Sequence, residues 1–351
     1  MPDGPDWGFV TPRNDPVESP DASTIFGYHD LTPPTVADVY RARERVRRHL
    51  PRTPLVRSES LSGALEADVW LKREDTLPTG AFKVRGGINL AASLDPAFRD
   101  PGLVAASTGN HGQSIAYAGR EFDVPVVVCV PSDANPGKVA TMESLGAEVR
   151  KQGETFDDAR EHAEQLAVEA GYRYVHSANE PALVAGVATA GLEVLEDRPD
   201  VDVVFSPVGG GSNAAAYALT VGALGEASVV GVQSESAPAM YRAWNEGTLE
   251  PHDRMETFAE GLATSVPFAL TAEFLGEHLE DFRLVSDAAI RDAIERLLRE
   301  DHVLAEGAGA APVAAALASR EELAGQTVVL PVTGRNIDVT KLRAILGDAP
   351  E

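Results

Sequence analysis

A short β-branched or apolar run, then a polar or glycine-bearing turn, then an amphipathic helical stretch recurs along this 351-residue chain and limits the folds open to it. Runs that read as strands lie at 69–71, 103–106, 124–130, 148–150, 174–176, 202–206, 229–233, 282–285 and 328–331. Helical patterns fill 112–122, 136–145, 156–170, 183–196, 214–223, 287–300 and 312–318. An earlier helix opens at Thr35 and is stopped by Pro51 and Pro54, because proline has no N–H to continue it. Alternation of this kind predicts an α/β protein with open, mainly parallel sheets. The length suffices for about two domains. No repeat or low-complexity linker separates them, so a boundary is crossed by the chain more than once.

Within that pattern, Thr79-Gly80-Ala81-Phe82-Lys83-Val84-Arg85-Gly86-Gly87 sets a lysine among small and apolar neighbours. The chain has five lysines against 54 acidic residues, which makes this placement unusual. A lysine amine attacks a carbonyl only as the free base, and burial lowers its pKa toward that state. Lys83 is therefore a candidate nucleophile and base. The competing reading is a packed stem with its amine in water, and the segment alone leaves both open.

Three strand-to-helix turns are the candidate ligand sites, since ligands of open α/β sheets gather at the carboxyl ends of strands. Ser206-Pro207-Val208-Gly209-Gly210-Gly211-Ser212-Asn213 can converge several backbone N–H groups on one anion, as suits a phosphate. It matches neither nucleotide-loop nor dinucleotide spacing, and a tight packing turn is the alternative. Ser107-Thr108-Gly109-Asn110-His111-Gly112-Gln113 offers two hydroxyls, an amide and an imidazole at one helix start. That suits a carboxylate, although the hydroxyls also suit simple capping. Thr333-Gly334-Arg335-Asn336 ends the strand run at 328–332, where a Thr hydroxyl is by itself a cap.

A net charge of −24 opposes nucleic-acid binding, which needs Lys and Arg clusters. Many carboxylates with few lysines are the balance of a protein kept soluble in high salt. No apolar run approaches the roughly 20 residues of a membrane span. The Pro- and Asp-rich start lacks the pattern of a signal peptide, so a cytoplasmic protein with no membrane partner is expected. Cys129 is the only cysteine, which rules out disulfides within the chain; inside Val126-Val127-Val128-Cys129-Val130 it reads as a buried strand thiol. The histidines lack metal-ligand spacing, and no metal is assigned.

Taken together, these segments resemble the fold-type II pyridoxal phosphate enzymes, within them the serine/threonine dehydratase branch, over about residues 31–338. Arg52-Thr53-Pro54-Leu55, Leu71-Lys72-Arg73-Glu74-Asp75 and Glu306-Gly307-Ala308-Gly309-Ala310 join the lysine segment and the Ser107 and Gly209 turns in carrying the resemblance. It implies two domains of tryptophan synthase β-like architecture with the cofactor in the cleft between them. A large cofactor-binding domain of 31–88 with 180–351 and a small inserted domain of 89–179 follow from it; residues 1–30, rich in Pro, Asp and Gly, read as a loose arm ahead of them. It further implies Lys83 as the Schiff-base lysine, with Phe82 beside the ring and Asn110 on the ring hydroxyl. Gly209, Gly210, Gly211, Ser212 and Asn213 would hold the phosphate, Thr333 would meet the pyridine nitrogen, and Glu306 would lie near the ring face. Ser107, Thr108, Gly109, Asn110 and His111 would grip the substrate carboxylate.

The implied reaction is elimination from L-threonine, L-serine or another 3-hydroxy amino acid, giving a 2-oxo acid and ammonia, by a homodimer or homotetramer. Racemisation, diaminopropionate elimination and β-replacement are the alternatives on the same cofactor; a non-catalytic binding protein is the remaining one. Thr108 stands where relatives commonly have the serine that racemases use as acid/base, so its methyl weighs against racemisation. Arg335 replaces a small residue; it either recognises a second substrate carboxylate or alters the ring's electronics, or it is an ordinary surface arginine. Tyr241 occupies a position where some relatives use Asp, near Glu235, to bind a divalent cation. The short stretch after Asn336 leads to the expectation of no regulatory domain and no feedback inhibition by isoleucine.

Overall fold

The computed structural model describes residues 31–347. Among them are ten strands: β1 Leu55–Arg57, β2 Asp68–Arg73, β3 Leu103–Ala106, β4 Val126–Val130, β5 Glu148–Lys151, β6 Arg173–Tyr174, β7 Val203–Pro207, β8 Ser228–Ser234, β9 Asp281–Val285 and β10 Thr327–Val332. The described chain forms two compact units. One holds Arg52–Thr76 and residues 190–347; the other holds residues 31–51 and Leu77–Thr189. The helix Pro181–Asp197 supplies residues to both. The arm expected at 1–30 lies outside the described residues.

In the first unit, six strands run in the order β1-β2-β10-β7-β8-β9. Only β1 pairs antiparallel, opposite β2; the rest are parallel. Alternate residues feed opposite faces. Val203, Phe205, Val328, Leu330 and Val332 pack with Ile290, Ile294 and Leu297 of the helix Asp287–Glu300 and with the Ala-rich helix Gly307–Ala318. Val204, Val229 and Val329 pack on the other face with Ala214, Tyr217, Met240 and Leu275. Cover on both faces explains why these strands read as continuous apolar runs.

The second unit has four parallel strands in the order β5-β4-β3-β6. Leu103, Ala105, Val126 and Val128 face Ile115, Val139 and Met142. Val104, Val127 and Cys129 face Ala159, Ala163 and Ala167, a small-residue stripe on the helix Phe156–Ala170. Cys129 is wholly buried, which raises its thiol pKa to about 11 and leaves it inert. The helix Val84–Ala92 crosses the helix Asn110–Phe122 so closely that a Cβ on Gly87 would lie 2.5 Å from Ser114 Oγ. No helix among the described residues is long and apolar enough to cross a membrane.

The open, mainly parallel α/β architecture agrees with the expectation, but the units divide at other positions than the expected domains: residues 31–51, 77–88 and 180–189, expected with the large domain, fall with the four-stranded unit. Three elements also differ. Strand β1 has three residues with two exposed, too few to show a period. The helix expected at 312–318 starts five residues earlier, at Gly307, with Pro312 inside it. The helix expected at 214–223 ends as a π turn, Ala218–Gly222.

Candidate active site

In the four-stranded unit, β3 and β6 are neighbours, so their carboxyl ends bring two turns side by side. Lys83 lies ahead of the helix Val84–Ala92, which is reached through a turn that bends at Gly80 with φ +69°. Its backbone carbonyl accepts Ser114 Oγ at 2.7 Å, which fixes the Cα. Its amine donates to the Ser177 carbonyl at 2.8 Å and lies 5.4 Å from the centroid of the Phe82 ring. Lys83 keeps some exposed surface, yet enough protein surrounds the amine that desolvation lowers its pKa from 10.5 to about 8. The amine is therefore held within the unit rather than extended into solvent.

The turn after β3 is built around Ser107. Its hydroxyl accepts Gly109 N at 3.2 Å and Gly112 N at 2.9 Å, which caps the helix Asn110–Phe122. Thr108, Gly109 and Asn110 are half-buried, and a Cβ on Gly109 would meet open space. His111 departs from its expected role. Its Nε2 lies 3.0 Å from the Val175 carbonyl, and because a carbonyl only accepts, the ring proton must sit there. Its Nδ1 is buried with no hydrogen-bond partner. Burial, with the Lys83 charge nearby, lowers its pKa to about 3. A neutral ring presenting only a lone pair cannot grip a carboxylate, which leaves donors to Thr108, Asn110 and the helix amides.

His176 was not singled out in the sequence. It accepts Ala178 N at 3.0 Å and Asn179 N at 2.9 Å on Nδ1. Burial, then the Lys83 charge, lowers its pKa to about 4. The available signal was positional: Val175-His176-Ser177 follows a strand that neighbours the one carrying the Ser107 turn.

In the six-stranded unit, β7 and β10 are adjacent and both end at candidate residues. Val208 N extends the ladder to Val232 O at 2.7 Å before the glycine bend begins. Gly211 takes φ +85°, which favours glycine. A Cβ on Gly209 would lie 2.1 Å from Gly261 O, so no side chain fits there. Thr271 Oγ1 donates to Gly210 O at 2.7 Å. Ser212 and Asn213, both buried, open the helix that follows. Asn213 Oδ1 accepts Ser206 Oγ at 2.7 Å, and its buried Nδ2 has no acceptor. An orphaned donor at the end of a side-chain-free bend suits a bound anion.

Thr333 is buried at the end of β10. Beside it, Glu306 N donates to Gly334 O at 2.9 Å. Gly309 permits this approach, since its Cβ would stand 2.7 Å from Gly334 O. The short turn Glu260–Leu262, which sequence reasoning missed, fits under Gly209. Arg335 is exposed, which favours its surface reading. Tyr241 packs edge-on against Phe282 with centroids 5.5 Å apart, while Glu235 is exposed.

Residues 46–334 match the family described as pyridoxal-phosphate dependent enzyme. An L-threonine ammonia-lyase from Thermotoga maritima is 37% identical over 313 residues, covering 89% of this chain and 78% of that one. The catabolic L-threonine dehydratase of Escherichia coli strain K12 is 32% identical over 322 residues, covering 91% and 98%. The structure of the processed form of threonine deaminase isoform 2 from Solanum lycopersicum superposes with a TM-score of 0.85 at 29% identity, covering 93% of each chain. The residues present fit the cofactor: a lysine with lowered pKa for its aldehyde, and a bend closed to side chains, ending in the unspent Asn213 donor, for its phosphate. The chain belongs to the pyridoxal-phosphate dependent enzyme family, as a fold-type II member of the serine/threonine dehydratase branch.

Proposed function

We propose that this protein is a pyridoxal phosphate-dependent lyase that converts L-threonine, L-serine or a related 3-hydroxy amino acid to a 2-oxo acid and ammonia. The observation that carries this reading is the Lys83 amine, held on a neutral carbonyl with a pKa near 8. The names of the two ammonia-lyase relatives support the substrate class.

Lys83 would carry the cofactor, with Phe82 beside its ring. Gly209, Gly210, Gly211, Ser212 and Asn213 would hold its phosphate through backbone N–H groups and the Asn213 amide. Asn110 would serve the ring hydroxyl, Thr333 the pyridine nitrogen, and Glu306 would stand near the ring face. The bound cofactor supplies an electron-poor ring that accepts the electron pair left when a Cα proton departs. Thr108, Asn110 and the helix N-terminus they open hold the substrate carboxylate; Ser107 orders that turn. Displaced from the cofactor, the Lys83 amine takes the Cα proton as general base. Thr333 is an uncharged partner for the ring, so it gives less support to a lasting negative charge than an aspartate would. An uncharged residue at that position would therefore favour elimination of the β-hydroxyl over reactions that need a long-lived charge. The released enamine adds water and yields the 2-oxo acid and ammonia.

The test is a screen of L-serine, L-threonine and other 3-hydroxy amino acids, with ammonia and 2-oxo acid measured together. Equal release of both without an added nucleophile is the expected result. Inversion at Cα with no ammonia would replace the reading with racemisation.

The reading extends to a cytoplasmic homodimer or homotetramer suited to high salt, with no nucleic-acid or membrane partner, supported by 54 acidic against 30 basic residues. Light scattering and activity across a salt series test it; a monomer that loses activity as salt rises would end it.

A further inference from the structure

The two histidines beside Lys83 are not explained by cofactor or substrate binding. Both hold one stretch of backbone. His111 fixes it at the Val175 carbonyl, and His176 folds it back by accepting the Ala178 and Asn179 amides. Between those anchors the Ser177 carbonyl meets the Lys83 amine at 2.8 Å. The direction of each bond is set by chemistry, since amides donate and carbonyls accept. His176 Nδ1 must therefore stay bare, and burial, which lowers its pKa to about 4, keeps it so.

We propose that His176 is a positioning residue: by curling residues 177–179 around its ring, it aims the Ser177 carbonyl at the Lys83 amine and orients that amine for its reactions. A carbonyl takes an N–H and cannot take a lone pair. Held this way, the nitrogen turns its lone pair away from Ser177, toward whatever electrophile or proton is presented. Two steps use that lone pair. In cofactor capture it attacks the aldehyde carbon, a C=N bond forms, and both amine hydrogens leave with the aldehyde oxygen as one water. In turnover it receives the substrate's Cα proton. The second step rests on the lyase reading above; the first does not.

The experiment follows capture of pyridoxal phosphate by the cofactor-stripped full chain, read as visible absorbance. Binding of pyridoxine phosphate, an alcohol that cannot condense with the amine, is measured in parallel. His176→Phe keeps the volume and removes the acceptor. It is expected to slow capture and lower kcat about tenfold or more, with KM and alcohol affinity within about threefold of the parent. His176→Asn, whose Oδ1 can accept the same amides, should restore most of the rate. Ala178→Pro removes one of the two N–H groups while leaving the ring, and should slow capture as His176→Phe does. Parent-like capture in His176→Phe, or in Ala178→Pro where His176→Phe does not fold, overturns the proposal. So does an equal loss of aldehyde and alcohol binding, which marks a general structural role. Because capture needs no amino acid, failure of the lyase reading would appear separately, as a loaded enzyme that turns over no 3-hydroxy amino acid.

Discussion

Lys72 and Lys83 stand in neighbouring stretches of sequence, and both side chains turn into the protein. Lys72, on β2, is completely buried, and its amine meets Glu193 Oε2 at 2.6 Å and Thr53 O at 2.9 Å. Thr53 in turn donates to Glu74 at 2.6 Å, and Arg73 pairs with Asp75 through two bonds of 2.8 Å. Lys83 meets the uncharged Ser177 carbonyl, and desolvation lowers its pKa. A carboxylate partner favours the charged form of a buried lysine far more than a neutral carbonyl does, and at Lys83 desolvation prevails. Burial alone therefore does not make a lysine reactive; the partner decides. The motifs around Thr53 and Lys72, which help carry the family resemblance, do structural work.

The sharpest way to break this contrast is to remove each amine. Lys83→Ala is expected to cut 2-oxo acid release by at least about a thousandfold, since it deletes both the cofactor link and the base. Its circular dichroism should match the parent; substantial activity in a folded variant would sink the mechanism. Lys72→Met should act the other way. Removing the Lys72 cation from the half-buried Glu193, which keeps its Thr53 hydrogen bonds, costs about 1–3 kcal/mol of stability, seen as an earlier urea midpoint, while kcat/KM of the folded fraction stays within about threefold. Adding Glu193→Gln should return part of the loss. If Lys72→Met is as stable as the parent, the ion pair is not what holds this corner.

The sequence made the alternation of strands and helices, and the turns at strand ends, legible because both depend on local period and glycine content. The helix 156–170 and the strand 103–106 carry enough residues of one pattern to be placed to the residue. What pattern could not supply was partnership. Nothing in Leu71-Lys72-Arg73 announces that its lysine will meet Glu193, more than a hundred positions away. Nothing in Ala81-Phe82-Lys83 announces Ser177. His111 was visible as a polar residue at a helix start, but the tautomer that disqualifies it as a carboxylate donor depends on Val175, contributed by another element. His176 is a single residue after a two-residue strand, too short a signal for any periodic reading.

A finer test of the same contrast replaces Lys83 with methionine and asks about stability instead of rate. The folded-state pKa near 8 lies below the unfolded value of 10.5. At pH 7 both states hold the proton, so the folded protein bears the full cost of a poorly solvated charge. Between about pH 8 and 10.5 the folded state has released the proton and the unfolded state has not, so stability rises with pH in that window. Without cofactor, Lys83→Met should be more stable than the parent at pH 7 by about 3 kcal/mol, an advantage that fades by about pH 10.5. Lys72→Met destabilises under the same conditions. Urea midpoints across pH for both variants report it, and a destabilised Lys83→Met at pH 7 would mean that the amine is compensated as Lys72 is.

Arg335 extends the comparison to a cation in solvent. It follows the buried Thr333 and Gly334, yet its own side chain is exposed. An exposed guanidinium is well hydrated and loses little when it is removed. Arg335→Ala is therefore expected to change stability by less than about 0.5 kcal/mol. It should also shift KM for threonine and serine by less than about twofold, since neither side chain carries a charge for it to meet. Hydroxyaspartate is the substrate that can expose a hidden role, because its second carboxylate is what a guanidinium near the Thr333 turn would recognise. Parallel KM measurements with threonine and 3-hydroxyaspartate decide the matter. Equal, small changes keep Arg335 a surface residue, whereas a tenfold or larger rise confined to the dicarboxylate would make it a specificity determinant that moves inward when substrate binds.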